Sequence, residues 1–126
     1  MWKELILLGI AGAVGALSRY GLSGLVQSLA GERFAWGTLV VNATGCFLFG
    51  FVFMLADTER TLISGQTRFV VLTGFMGAFT TFSTFAFETS RYLSDSQWNL
   101  AAANLVGQNL LGIAFVLLGL AAGRLL

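Results

Sequence analysis

The chain has 126 residues, of which 56% are hydrophobic and only 10% charged, with a mean hydropathy of +0.82 and a net charge of +1. Soluble domains carry about 25% charged residues, so too little charge is present to cover a water-facing surface, and the chain reads as an integral membrane protein. No basic run offers itself to nucleic acid, and His is absent, which argues against proton relays and the common catalytic metal sites.

Four apolar segments are long enough to cross a bilayer, which takes about 20 helical residues. The first covers residues 5–29. Gly9, Gly12 and Gly15 recur every three residues in it, and Gly21 and Gly24 follow at the same spacing. Small residues let transmembrane helices approach closely, so tight packing is expected. Arg19 is its one ionisable residue well inside the run. A buried Arg pairs, meets a carbonyl dipole or faces water, which leaves a structural staple and an anion attractor both open. Lys3, the short apolar run and Ala11–Ala13 resemble a signal peptide with a small-residue cleavage site. Glu4 in the basic region and the continuation past Ala13 favour a retained span.

The second segment, residues 36–56, opens on Trp36. Asn42 sits inside it, in GTLVVNATGCFLFG, with Thr38 four residues earlier on the same helical face. An amide in hydrocarbon is costly unless paired, and intramembrane polar residues are functional candidates by default. The plainer role, an interhelical hydrogen bond worth about 1 kcal/mol, stays equally open. Cys46 is the chain's single cysteine, so no intramolecular disulfide forms, and it is expected to act as a small buried hydrophobe.

The third segment, residues 69–92, contains TGFMGAFTTFSTFAFE, residues 73–88, where five Phe accompany the hydroxyls of Thr73, Thr80, Thr81, Ser83 and Thr84. In a continuous helix Phe75, Phe79 and Phe82 share one face, with Phe85 a turn beyond, and Thr80 and Thr84 share another. Gly74 and Gly77 lower helix propensity, and the Thr and Ser side chains compete for backbone hydrogen bonds. A helix broken near residues 75–80 is expected. Irregular backbone at membrane depth is tolerated only when buried in protein or lining a cavity, and its free carbonyls and N–H groups hold ions.

The fourth segment, residues 98–125, opens on Trp98. Asn104 and Gln108 are spaced by four and form a polar stripe, with Asn109 beside it. The stripe either lines a path or joins helices. Trp2, Trp36 and Trp98 stand where aromatic residues anchor at the lipid–water interface. The fold class is therefore all-α and membrane-embedded, four transmembrane helices in one unit over residues 1–126, the third broken near its middle.

An even number of spans puts both termini on one side. That side and the middle link hold Lys3, Arg60, Arg68 and Arg124, against Arg33, Arg91 and Arg19 on the other; Glu32, Asp57, Glu59 and Asp95 lie in the same links. Orientation follows the Lys/Arg bias of short loops. A weak bias permits insertion both ways up and hence an antiparallel dimer; a single fixed topology with a small bias is the other reading. Tightly packed helices leave little internal room, so a path would form where two copies meet.

No span has a carboxylate at its centre, and Glu88 lies near the end of the third. The groups on offer are hydroxyls, amide N–H donors and Phe ring edges, which carry partial positive charge. They suit a small anion, bound weakly enough to leave, as conduction requires.

GTLVVN and TGFMGAFTTFSTFAFE, together with GAVGALSRY, the four-span layout and the length, strongly resemble the Fluc (CrcB) family of bacterial fluoride channels, over essentially the whole chain. The resemblance implies an antiparallel, dual-topology homodimer in the lipid of the bacterial inner membrane, with two fluoride pores at the subunit interface. Fluoride that enters acidified cells as HF would leak out passively. By the same resemblance, Asn42 matches the pore asparagine and Thr38 the hydroxyl a turn before it. Phe82 and Phe85 match the rings whose edges face fluoride, and Ser83 and Thr84 the hydroxyls beside them. Gly77 and Thr80 match positions whose backbone carbonyls, two from each subunit, hold a structural Na+ on the dimer axis. Arg19 matches an arginine near the vestibule. Many family members carry Tyr, Ser or Thr along the fourth span; here Asn104 and Gln108 stand in their place, and a long amide either substitutes for a hydroxyl or partly fills the route.

Two other readings compete. A small multidrug exporter needs a membrane-embedded carboxylate, and the first span has no acid beyond Glu4 at its edge. A non-conducting scaffold or accessory subunit would depend on Phe82, Phe85 and Asn42 only for folding. With no His, no metal-ligand cluster and no activated nucleophile, nothing indicates an enzyme.

Overall fold

The computed structural model describes residues 1–57 and 63–126; Glu59 and Arg60 lie outside the described residues. Four stretches among them are helical and apolar enough to cross a membrane: Trp2–Ala30, Trp36–Asp57, Gly65–Ser94 and Trp98–Arg124. The first, second and last are single helices, named α1, α2 and α5. The third divides into α3, residues 65–79, and α4, Phe82–Ser94. Helix is the outcome because a chain in hydrocarbon must satisfy its own backbone polar groups.

Two helix starts precede the apolar boundaries. The first span begins at Trp2 rather than residue 5, and the third at Gly65 rather than residue 69. At the latter, Ser64 Oγ accepts the Thr67 N–H at 3.1 Å and caps the helix. Hydropathy marks where lipid begins; capping marks where the helix begins.

The longest helix pairing joins α2 to α5. A Cβ at Gly119 would overlap the Phe47 carbonyl, and one at Gly50 the Val116 carbonyl, so these backbones nearly touch. α1 runs against α3, with Gly15 seated on the Phe75 carbonyl. The close packing expected of the first span's glycines holds at Gly15. At Gly9, Gly21 and Gly24 an added Cβ meets nothing within 4 Å among the described residues, so no close contact is made there within the subunit.

Gln27 ties the end of α1 to the start of α2. Its Nε2 donates to the Gly31 and Phe34 carbonyls, and its Oε1 accepts the Gly37 N–H at 3.0 Å. That N–H belongs to the first turn of α2, which has no partner inside the helix. Gly31 ends α1 at φ 89°, a left-handed conformation that favours glycine.

The third span departs from α-helix in two places. Val70–Met76 is a π-helical stretch. The chain then turns α-helical over Gly77–Phe79 before becoming extended at Thr80 (φ −82°, ψ 157°) and Thr81 (φ −149°, ψ 108°). The interruption thus lies at the far edge of the expected window and runs one residue past it. Gly77, at φ −61° and ψ −33°, is helical. Hydroxyl chemistry, rather than glycine flexibility, accompanies the break: Thr80 Oγ1 donates to the Met76 carbonyl at 2.9 Å, and Thr81 Oγ1 accepts the Thr84 N–H at 3.2 Å as the cap of α4.

Candidate functional site at the broken third span

Asn42 on α2 faces the break. Its Oδ1 accepts the Thr81 N–H at 2.8 Å, and its Nδ2 donates to the Thr81 carbonyl at 3.1 Å. The second Nδ2 hydrogen goes to Gln108 Oε1 on α5, also at 3.1 Å. One side chain therefore replaces the helical partner that the Thr81 N–H has lost and adds a donor at its carbonyl, the cap carbonyl of α4.

The consequence falls on the carbonyls upstream. In an unbroken helix the Gly77 carbonyl would receive the Thr81 N–H, and the Thr80 carbonyl the Thr84 N–H. Here the first goes to Asn42 Oδ1 and the second to Thr81 Oγ1. The break releases both carbonyls together.

The Phe row divides at the same point. Phe75 and Phe79 stack, with centroids 5.5 Å apart and planes at 13°. Phe82, expected on their face in a continuous helix, instead meets Phe85 edge-on at 5.4 Å and 67°. Phe85 is 6% exposed and Phe82 78% exposed, so one ring is packed inside and the other projects from the surface.

An open groove of about 290 Å³ collects Asn42, Thr80, Phe82, Phe85 and Gln108. Gly45 forms part of its floor because a Cβ there would collide with Thr80 Cγ2. Half-buried Cys46 also lines the groove. The other expected site residues lie elsewhere. Arg19, Thr38 and Thr84 line a second cavity of about 500 Å³, separated from the first by the Thr81 segment that borders both. Ser83 is exposed, with its Oγ 3.3 Å from Thr81 Oγ1.

Thr38 does share a helix with Asn42, but its hydroxyl donates to Glu88 Oε1 at 2.6 Å. Glu88 Oε2 is buried with no hydrogen-bond partner among the described residues. Arg19 forms no ion pair or hydrogen bond among the described residues, so a staple built on pairing within one subunit is not present.

The α5 stripe joins helices and also reaches the groove. Asn104 is 0% exposed and donates to Thr89 Oγ1 at 3.0 Å, while Gln108, 9% exposed, reaches back to Asn104 Oδ1 at 3.5 Å. Sequence reasoning passed over Thr81 and Thr89 as partners and set Glu88 at a span's end. The signal for Thr81 was local: a Thr directly before a new helical run, three residues from Thr84, is a cap pattern.

A four-span helical membrane protein is defined here, with an amide-centred, donor-bearing groove at a discontinuous helix, the kind of element that forms ion sites at membrane depth. Residues 6–120 match the family described as CrcB-like protein, Camphor Resistance (CrcB), and the chain belongs to that family. It is 60% identical to the fluoride-specific ion channel FluC of Nitrosococcus oceani and 52% identical to that of Solidesulfovibrio magneticus, each over 126 residues and 100% of both chains. With the protein of the same name from Nitratidesulfovibrio vulgaris the identity is 50% over 123 residues, 98% of each chain.

Proposed function

We propose that the chain forms a passive, fluoride-selective channel of the bacterial inner membrane that lets cytoplasmic fluoride leave down its gradient. The observation that carries this reading is full-length similarity to relatives named as fluoride-specific ion channels. The groove supports it chemically. It assembles three amides, two hydroxyls and three Phe rings, and none of its lining residues is acidic. Such donors replace an anion's water without fixing it by a full charge, which conduction requires.

Two subunits inserted antiparallel would bring their grooves together and make two paths at the interface. The exposed Phe82 ring supports this, because a ring edge projecting from one subunit needs a second surface to enclose an ion. Asn42, Phe82, Phe85, Ser83, Thr84 and Thr38 would contact fluoride along the route, Arg19 would draw anions toward it, and Asn104 and Gln108 would continue the polar track.

The freed Gly77 and Thr80 carbonyls fit a structural Na+ at the dimer axis. Hard main-chain oxygens suit such a cation, and two per subunit are too few without the second copy. When bound, the ion supplies a fixed positive charge between the subunits.

A scaffold reading has one observation in its favour: every polar group of Asn42 is already bonded inside the subunit. Ion efflux from liposomes holding the purified protein decides between them. Fast fluoride efflux with negligible chloride efflux is expected. Silence for both ions from a folded dimer would leave the scaffold.

A further inference from the structure

The amides of α2 and α5 form a chain whose direction is set at both ends. At one end Asn42 faces the main chain of Thr81: its oxygen must take the N–H and its nitrogen the carbonyl, so the amide cannot be flipped. Its remaining N–H therefore points at Gln108, and an oxygen must face it there. At the other end Thr89 Oγ1 donates to the Phe85 carbonyl, an acceptor only, so its lone pairs receive the Asn104 Nδ2 hydrogen. Asn104 then turns Oδ1 toward Gln108 Nε2. Both ends demand the same orientation of Gln108, with nitrogen toward Asn104 and carbonyl oxygen toward Asn42.

An anion approaching Asn42 thus finds its free N–H already covered by an oxygen of like partial charge. Gln108 lines the same groove as Phe82 and Phe85, so the covering atom lies in the route itself. Its own tether is the longest in the chain, at 3.5 Å to Asn104, while the Asn42–Thr81 pair is held by two shorter bonds. Gln108 is the member that yields.

We propose that Gln108 is a specificity- and rate-determining positioning residue. Its side-chain carbonyl occupies the Asn42 N–H in place of the ion and must swing aside before fluoride can bind there. The inference rests on the reading of Asn42 as a fluoride donor. It also favours an anion that is a strong hydrogen-bond acceptor, since a weaker one cannot displace an amide oxygen.

The test compares the wild-type protein with Gln108→Ala and Gln108→Met, the latter of nearly the same length should the smaller side chain fail to fold. Protein labelled with 15N-asparagine has four such side chains, and loss of one signal in Asn42→Ser identifies Asn42. Sodium fluoride is titrated while that amide is followed by NMR, and fluoride efflux from liposomes is measured in parallel. The midpoint for Asn42 is expected to fall about two- to tenfold in both variants, the equivalent of one neutral hydrogen bond, and efflux through Gln108→Ala to rise. Unchanged or higher midpoints in the folded variants overturn the proposal. A wild type that moves no fluoride, with midpoints still lowered in the variants, removes only the conduction reading. An Asn42 signal indifferent to fluoride in every protein overturns the proposal together with the reading of Asn42 as a fluoride donor, while efflux reports conduction separately.

Discussion

The side chain of Asn42 pairs with both main-chain groups of Thr81, accepting its N–H at 2.8 Å and donating to its carbonyl at 3.1 Å. A residue of α2 thereby completes the backbone of the third span at the one place where that span cannot complete itself. Folding and the proposed ion path meet in a single amide.

Asn42→Ala should therefore be costly in two respects. The Thr81 N–H loses its partner, and an uncovered group of this kind costs about 1–3 kcal/mol. A clear drop in thermal midpoint, read by light scattering or tryptophan fluorescence in detergent, is expected together with loss of fluoride efflux. A variant as stable as the wild type would show that water substitutes at Thr81.

The two rings of the proposed path should separate stability from transport. Phe82 is exposed in the subunit and Phe85 is packed. Phe82→Ile should shift subunit stability by less than about 0.5 kcal/mol, as surface changes do, whereas Phe85→Ile leaves a misfitted core site costing about 1–3 kcal/mol. Both should sharply reduce fluoride efflux. Undiminished efflux in both would remove ring edges from the mechanism.

Gly119→Ala tests the closest helix contact. The new Cβ would meet the Phe47 carbonyl, a main-chain atom that cannot rotate away. Separation of α2 and α5 is expected, with a loss of about 1–3 kcal/mol, the range for overpacking, seen as a lowered thermal midpoint. Unaltered stability would mean that the interface slides without cost.

Gln27→Leu keeps the bulk but removes the bonds to Gly31, Phe34 and Gly37. The site is half-buried and water takes over part of the pairing, so about 1–2 kcal/mol is expected, within the cost of a lost helix cap. Hydrogen exchange should accelerate at the first turn of α2 and leave the α2–α5 contact protected. Acceleration everywhere would mean global rather than local loosening.

The proposed antiparallel assembly has its own check. Tags at the N-terminus should be cleaved from outside in about half of the molecules in sealed cells, because a weak Lys/Arg bias sets no preferred orientation. Cleavage from one side only would defeat dual topology.

Composition and apolar run length determined the class of this protein. With 10% charge and four long apolar stretches, no arrangement other than membrane helices satisfies the backbone, and that constraint is local to each stretch. The run TGFMGAFTTFSTFAFE also disclosed that its helix would break, since Thr and Ser compete with the main chain wherever they cluster. The Thr81 cap gave a local mark of the place, and tertiary structure fixed it there. The break settled on Thr80 and Thr81 because Asn42, 39 residues earlier in sequence, lies within reach of the Thr81 main chain. It likewise sent the Thr38 hydroxyl to Glu88 and bound Asn104 and Gln108 into one directed chain. Spacing along a helix shows which residues share a face; which partner meets that face depends on how the helices pack, and here that packing is set by glycines whose backbones nearly touch.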